Sequence, residues 1–322
     1  MLVVLQNLLL YNRDKYLFQK MDEGGSMENS QVSKRGYLND NFRIFFLKDT
    51  KSQPIAYHYH EFYKVILFLS GDVTYMVEGR SYQLAPWDIL IIGHHQIHRS
   101  IVRGQEEYER IILWINRDFL EQEILPNTKL HHCFELGVTQ KNYLIRAGKQ
   151  ERIGYLSLLK ELKTSMESKE FGSDLYSMTL FWQAMISLNR IALRTKSITT
   201  AARVQSNQTV DLLIDYIHKN LSKDLSIETL SKELYLSASY LMHQFKETTG
   251  TSLHAYITKK RLSYAIELIR NGVPATNASS QSGYLDYSTF LRNFRKAYHC
   301  TPTEYLLSTQ KYYPFPEHEI RE

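Results

Sequence analysis

Two cysteines in 322 residues, Cys133 and Cys300, leave little room for disulfide scaffolding or a thiolate metal cluster. They fall in different predicted domains without partners at metal-ligand spacing, so both are expected to be reduced thiols. Charge of one sign is also scarce in excess. Against 39 basic residues stand 34 acidic ones, and the net charge of +5 excludes an indiscriminate polycation. Contacts to a polyanion must come from local placement of basic side chains. Long apolar runs are missing too. The run from Leu2 to Leu10 is interrupted by Gln6 and Asn7, no basic segment precedes it, and no small-residue cleavage site follows. It reads as neither an export signal nor a membrane span. The length exceeds a usual single domain of roughly 100 to 200 residues, so there is material for two cores.

What the chain does have is a repeat near its C-terminus. Ile227, Leu230, Ser231, Leu234 and Tyr235 lead into Leu241, Phe245, Lys246, Gly250, Leu253 and Tyr256. The order returns in Ala275, Ala278, Ser279, Ser282 and Gly283, then Phe290, Phe294, Arg295, His299, Pro302 and Tyr305. The offset is 48 residues before the turn and 49 after it, which places one extra residue near Leu285. Apolar steps of three and four in each copy predict a short helix, a turn and a second helix. Ser237 and Asp286 stand where the second helices begin, and their side-chain oxygens suit N-capping. Leu253, Tyr256, Ile257, Ile266 and Ile269 form the stripe of a long connecting helix that Asn271 and Gly272 stop.

From about Phe42 to Phe119 the period changes to short alternating strands, such as Lys64 to Leu69, Val73 to Val77, Ile89 to Ile92 and Arg110 to Ile115. Gly, Pro and Asp turns separate them, a pattern that predicts a small antiparallel barrel or sandwich. From Gln140 to Arg194 two helices are expected. Ile145, Ile153, Leu156, Leu159 and Leu162 stripe the first, and Leu175, Met178, Phe181, Trp182, Met185 and Ile186 suggest a buried second. Residues 195–208, rich in Thr, Ser, Ala, Gln and Asn, read as a linker.

Residues 209–308 resemble the paired helix-turn-helix domain of the AraC/XylS family of bacterial transcription regulators. The resemblance rests on the Leu241 to Lys246 segment, Arg261, the Gly283-Tyr284 turn, the Phe290 to Lys296 segment, Thr301-Pro302 and Tyr305. His58, His60, Gly71, Pro86, Asp88, His98 and Tyr108-Glu109-Arg110 resemble the cupin-like sensor domain of the same family. The implied fold is α+β in two domains, an antiparallel β-barrel with a helical dimerisation segment and an all-α double helix-turn-helix. The boundaries expected are 1–34 for an N-terminal extension unlike the family, 35–136 for the sensor barrel and 137–194 for the dimerisation helices. The linker follows at 195–208, the reader at 209–308 and a tail at 309–322. Because the first 26 residues match nothing in the family, translation from Met21 or Met27 is one expectation. The chain departs from the family at Ala275, Ala278 and Ser282, where large aliphatics are usual, so the second reader should have a thinner core. It departs also at His299, a usual glycine after the recognition helix, and at Trp87, a usual small residue between Pro86 and Asp88.

His58 and His60, two apart, share one face of a strand. Metal-binding cupins place a glutamate a few residues later, whereas here Lys64 has the matching parity if the strand is regular, and an ammonium there opposes a divalent cation. Glu61 would face the other way. No metal and no cofactor are therefore expected. His58, His60, Lys64, Tyr75, Trp87 and His98 are expected to line a pocket for a small-molecule effector, anionic or polyhydroxyl because Lys64 offers three donors and a charge. The plainer reading makes the histidines ordinary barrel residues.

On the first reader helix, Leu241 and Phe245 point inward, which leaves Ser239, Met242, His243 and Lys246 for double-stranded DNA. On the second, Phe290 and Phe294 are inward and Tyr287, Ser288, Leu291 and Arg292 are exposed. Arg292 is the candidate for reading guanine, while Lys246, Arg295 and Lys296 suit phosphates. Arg261, inside the connecting helix, suits a structural role. The expectation is a cytoplasmic, sequence-specific transcription regulator, not an enzyme and not a membrane protein. The resemblance implies a homodimer and contact with RNA polymerase. Two other readings are a constitutive DNA binder whose barrel only dimerises, and a metal-dependent cupin enzyme.

Overall fold

The computed structural model describes residues 33–34, 38, 40–49, 55–104, 106–122, 127–195, 204–205 and 207–309. Expectations for the first 32 residues, including the translation start, for most of the linker and for the tail beyond 309 lie outside the described residues. The chain separates into two compact units, one built mainly from Arg35–Val77 and Ser81–Gln205 and the other mainly from Ser206–Glu322. Among the described residues, no helix is long and apolar enough to cross a membrane.

The first unit is a pair of antiparallel sheets. Strands β1 (Phe42–Asp49), β3 (Tyr63–Ser70), β6 (Asp88–Ile92), β8 (Tyr108–Ile115) and β9 (Leu144–Arg146) form one, in the order β9-β6-β3-β8-β1. The other contains β2 (His58–Tyr59), β7 (His98–Arg103), β4 (Asp72–Val77) and β5 (Arg80–Gln83) in that order. Of the barrel or sandwich expected, the strands form two separate sheets that share one core. Phe45, Ile66, Phe68 and Trp114 from the first sheet meet Val73, Tyr75, Val77 and Tyr82 from the second. β3 is buried without alternation from Tyr63 to Phe68 because both of its faces are covered. The second cover is helical. Phe181 of α4 (Ser173–Arg194) stacks on Phe42 at 4.3 Å, and Phe119 of α1 (Arg117–Glu121), which α2 (His132–Thr139) follows in the chain, packs 5.2 Å from Phe181.

One expected helix starts later than its stripe suggests. Ile145 belongs to β9, paired with Ile89 of β6, and α3 begins only at Lys149. Leu144 and Ile145 gain more by extending a sheet edge than by joining a helix, and the Gly148 N–H, held by the Glu151 carboxylate at 2.9 Å, marks the change of period. α3 (Lys149–Glu167) buries Tyr155, Leu159 and Leu162 while Ile153 is exposed; α4 buries Leu180, Phe181, Ala184, Met185 and Leu188 while Leu175 and Ile186 are exposed.

Two motif positions are explained by their partners. Asp88 accepts from the Ala85 N–H at 2.9 Å and pairs with Arg146 at 3.3 Å, which fixes the turn in which Trp87 takes φ +75°. Arg110, buried, bridges Asp49 at 2.7 Å and lies over the Tyr108 ring at 3.9 Å.

The second unit is all helical. Its elements are α5 (Gln208–Lys219), α6 (Ile227–Leu234), α7 (Ala238–Thr249), α8 (Leu253–Arg270), α9 (Ala275–Gln281), α10 (Tyr287–Tyr298) and α11 (Pro302–Thr309). The capping oxygens of Asn207, Ser226, Ser237, Ser252 and Asp286 each accept N–H groups in the first turn that follows. α7 ends on Gly250 at φ +70°, whereas α10 ends on His299 at φ +58°, a left-handed residue without glycine's freedom. The small residues of α9 do sit in the core, with Ala278 and Ser282 fully buried. Serine hydroxyls there turn back on their own helix, Ser282 donating to the Ser279 carbonyl at 2.9 Å. Rings fill the space that aliphatics leave. Phe290 and Phe294 lie 5.6 Å apart, and Tyr298 and Tyr305 close on Phe294 at 4.8 and 5.9 Å.

Candidate functional site

α7 and α10 are each pinned by two buried phenylalanine or leucine anchors four residues apart, Leu241 with Phe245 and Phe290 with Phe294. A helix fixed along one stripe must present the opposite face to solvent. On α7 that face carries Ser239, Met242, His243 and Lys246, all exposed. His243 makes only a loose pair with Glu247, at 3.7 Å on a surface that is open on both sides. On α10 the face carries Tyr287, Ser288 and Arg292, with Arg295 and Lys296 in the last turn. Leu291 is half-buried and offers less surface than its position in the sequence implies. Arg292 donates from Nη2 to the Thr289 hydroxyl at 3.2 Å, a single exposed contact that a stronger acceptor displaces easily.

The turn between α9 and α10 owes its shape to one glycine. Gly283 has φ +93°, and a Cβ there would fall 2.2 Å from the Leu221 carbonyl oxygen and 2.8 Å from Arg261 Nε. Arg261 fills that place by donating to the Leu221 carbonyl at 3.0 Å and to the Lys223 carbonyl at 2.6 Å. Its role is to tie α8 to the loop before α6. Partial burial lowers its pKa, but a guanidinium remains charged. Burial pushes the Tyr284 phenol up to about 12, so it stays a donor toward the Thr258 carbonyl. The Asp286 carboxyl is held below its ordinary range, chiefly by the Thr289 N–H it caps.

In the first unit three histidines converge. His58 faces His98 across the β2–β7 pairing, and His60 follows just beyond the strand. Their ring centroids are 4.4 Å (His58 to His98), 5.0 Å (His58 to His60) and 4.9 Å (His60 to His98) apart, and all three side chains are buried. Phe62 stacks on His60 at 4.5 Å, and Trp114 lies 6.0 Å from the same ring. Tyr75 stands parallel to His98 at 6.1 Å, and Lys64, also buried, reaches the Tyr75 hydroxyl at 3.5 Å. Lys64 therefore joins the group through Tyr75.

Lys64 does not share a strand face with His58 and His60, as matching parity would require. The chain bends at Glu61 and Phe62, so β2 ends in one sheet and β3 starts in the other, and no regular strand links His60 to Lys64. Trp87 is not brought to the histidines either. Its N–H bonds the Phe68 carbonyl at 2.7 Å, four residues and about 13 Å along β3 from Lys64. Phe62 and Trp114 complete the wall and were missed. Neither stands out in the sequence, where Trp114 is one residue of the Arg110 to Ile115 strand, and only the crossing of the two sheets turns both toward His60.

Comparison with known proteins agrees with this division. A helix-turn-helix domain model matches residues 230–308, and an AraC-like ligand binding domain model matches residues 47–185. The chain is similar to the lactose operon transcription activator of Staphylococcus xylosus, 23% identical over 257 residues that span 78% of this chain and 86% of that protein. It is similar to the transcriptional activator RhaR of Pectobacterium atrosepticum, 21% identical over 84% of this chain and 92% of that protein. Its last third is similar to the regulatory protein SoxS of Salmonella typhimurium, 31% identical over 99 residues that span 30% of this chain and 92% of that protein.

Proposed function

We propose a working scheme for a chain that belongs to the AraC/XylS family of transcription regulators. It is a DNA-binding transcription regulator with a ligand-binding domain, in a family whose members are not enzymes. The scheme is that α7 and α10 enter successive major grooves about 10 base pairs apart and that the sheet unit senses a small molecule. The observation that carries it is the paired exposure of Ser239, Met242, His243 and Lys246 on one capped helix and of Tyr287, Ser288 and Arg292 on the other, each opposite a buried aromatic or leucine anchor. Arg292 reads a guanine through its guanidinium fork, Met242 and Leu291 offer apolar contact to thymine methyls, and Lys246, Arg295 and Lys296 hold phosphates.

Selection of random double-stranded DNA by the full-length protein tests the reader. The expected result is enrichment of two short blocks about one helical turn apart. Arg292→Ala should cost about 1 to 3 kcal/mol and relax preference at one base pair, whereas Lys246→Ala should weaken all sequences alike and reduce the salt slope by about one. Equal weakening of every sequence by Arg292→Ala would refute base reading.

The effector falls to the group of His58, His60, His98, Tyr75 and Lys64. Buried imidazoles, a phenol and an ammonium favour an anionic or polyhydroxyl molecule. Such a molecule biases transcription only by its differential affinity for the DNA-competent arrangement. Thermal shift with panels of sugars and organic acids reads it, and stabilisation by none of them would leave a constitutive binder. The chain acts as a homodimer in the cytoplasm through the exposed apolar residues of α3 and α4, including Ile153, Leu175 and Tyr176. Sedimentation of Ile153→Asp checks that: a dimer that persists undiminished rules out this face.

A further inference from the structure

We propose that His58, His60 and His98 form a binding site for one divalent first-row transition-metal ion, held by three imidazole nitrogens with a coordination position open to an outside ligand. Such a site goes beyond the effector reading, because the same three side chains would hold the ion whatever outside ligand it then takes up.

Convergence is the first ground. One ring nitrogen from each histidine lies within 4.8 Å of the others, and the side chains are almost entirely removed from solvent. Binding at about 2.0 to 2.1 Å in a tetrahedral arrangement needs nitrogens about 3.3 Å apart. Rotation about side-chain bonds supplies that closure. The backbone is already fixed, His58 by its pairing with His98 and His60 by its carbonyl, which accepts the His95 N–H at 2.7 Å.

Tautomer is the second ground. Nδ1 of His58 lies 2.8 Å from the Ala56 carbonyl oxygen, and Nδ1 of His98 lies 2.8 Å from the Gln96 carbonyl oxygen. A carbonyl only accepts, so both Nδ1 atoms carry the proton and both Nε2 atoms carry the lone pair. Metal-bound histidines have this arrangement, in which the outer hydrogen bond sets ring orientation and basicity. Two separate histidines, on different strands, each donate to a carbonyl two residues away in sequence.

The donor set decides the class of ion. Three imidazoles suit zinc, cobalt, nickel or copper and do not suit magnesium or calcium, which prefer oxygen. Among the described residues no carboxylate or thiolate shares the cluster. Three protein ligands with a free position match an ion that takes up a further ligand, not a closed structural site. Lys64 opposes the ion less than its place in the sequence suggests, because the strand breaks at Glu61. The ammonium lies at the Tyr75 hydroxyl, 3.5 Å away on the neighbouring sheet, where it favours an anion as the outside ligand.

Full-length protein, stripped with a chelator and returned to metal-free buffer, is titrated with zinc or cobalt alone. One equivalent per chain is expected, with the visible absorption of four-coordinate cobalt. His58→Asn and His98→Ala should each weaken uptake at least as much as loss of an outer-shell partner does, about 10- to 100-fold, while exposed His254→Ala leaves it unchanged. Should the buried variants fail to fold, X-ray absorption of the loaded natural protein counts the imidazoles, and three are expected. No stoichiometric uptake by the natural protein, or one imidazole or fewer at the metal, overturns the proposal. A thermal shift with sugars or acids that survives in metal-free protein then leaves the effector reading standing, so the two failures are told apart.

Discussion

Gly283→Ala separates two costs that glycine usually hides together. Gly283 and Gly272 both lie in the helical unit at positive φ, +93° and +84°, so alanine at either meets the penalty of left-handed backbone, about 1 to 2 kcal/mol. A Cβ added at Gly272 would meet nothing within 4 Å, and the backbone term is the whole cost. At Gly283 the same carbon would fall 2.2 Å from the Leu221 oxygen and 2.8 Å from Arg261 Nε, closer than any real contact. The turn must move or Arg261 must let go. Losing one of its two hydrogen bonds to the Leu221 and Lys223 carbonyls costs about 1.5 to 3 kcal/mol, because the donor is charged and partly buried. Gly283→Ala should therefore destabilise by about 2.5 to 5 kcal/mol, and Gly272→Ala by about 1 to 2. Hydrogen exchange of peptides covering Leu253–Arg270 and Ala275–Gln281 in the full chain measures the difference locally. A gap of about 1.5 to 3 kcal/mol predicts exchange roughly 10- to 150-fold faster in the Gly283 variant. Equal exchange in the two variants would refute the assignment of Gly283 to a close backbone approach.

Asp286→Asn should flatten the acid side of the stability profile while leaving the cap in place at neutral pH. The Asp286 carboxyl is lower in the folded chain than in the unfolded one, mainly through the Thr289 N–H, so its stabilisation is present above the ordinary aspartate range and is lost as pH falls through the folded value. Melting temperature against pH for the two proteins checks this, and parallel curves would contradict it. Phe290→Ala removes a fully buried ring from the second reader and should cost about 3 to 5 kcal/mol, whereas Leu285→Ala, at a fully exposed turn position, should stay within about 0.5 kcal/mol; chemical denaturation reads both. His299→Gly relieves a left-handed residue and should raise stability by about 1 kcal/mol, which a higher denaturation midpoint would register.

The helical unit was legible in the sequence because its signals are local. Caps at Ser237 and Asp286, steps of three and four, and the stop at Asn271-Gly272 each act within one turn of helix, so a linear reading finds them. The strands of the sheet unit were legible for the same reason, with Lys64 to Leu69 and Arg110 to Ile115 extended by only a few residues. Ile145 was misplaced because an isolated Leu-Ile pair fits a helix stripe or a sheet edge equally well. Pairing with Ile89, 56 residues earlier, made the choice.

By itself, then, the sequence determined two domains, the paired reader helices and, Leu291 apart, which of the named reader residues are exposed. Tertiary structure alone decided which distant residues meet. The approach of His98 to His58 and His60, the break that moves Lys64 to the other sheet, the separation of Trp87 from that group and the seat of Arg261 against Leu221 are long-range contacts. Periodicity fixes which face of an element is apolar, but register and sheet crossing fix what that face touches, and those are settled only when the whole core packs.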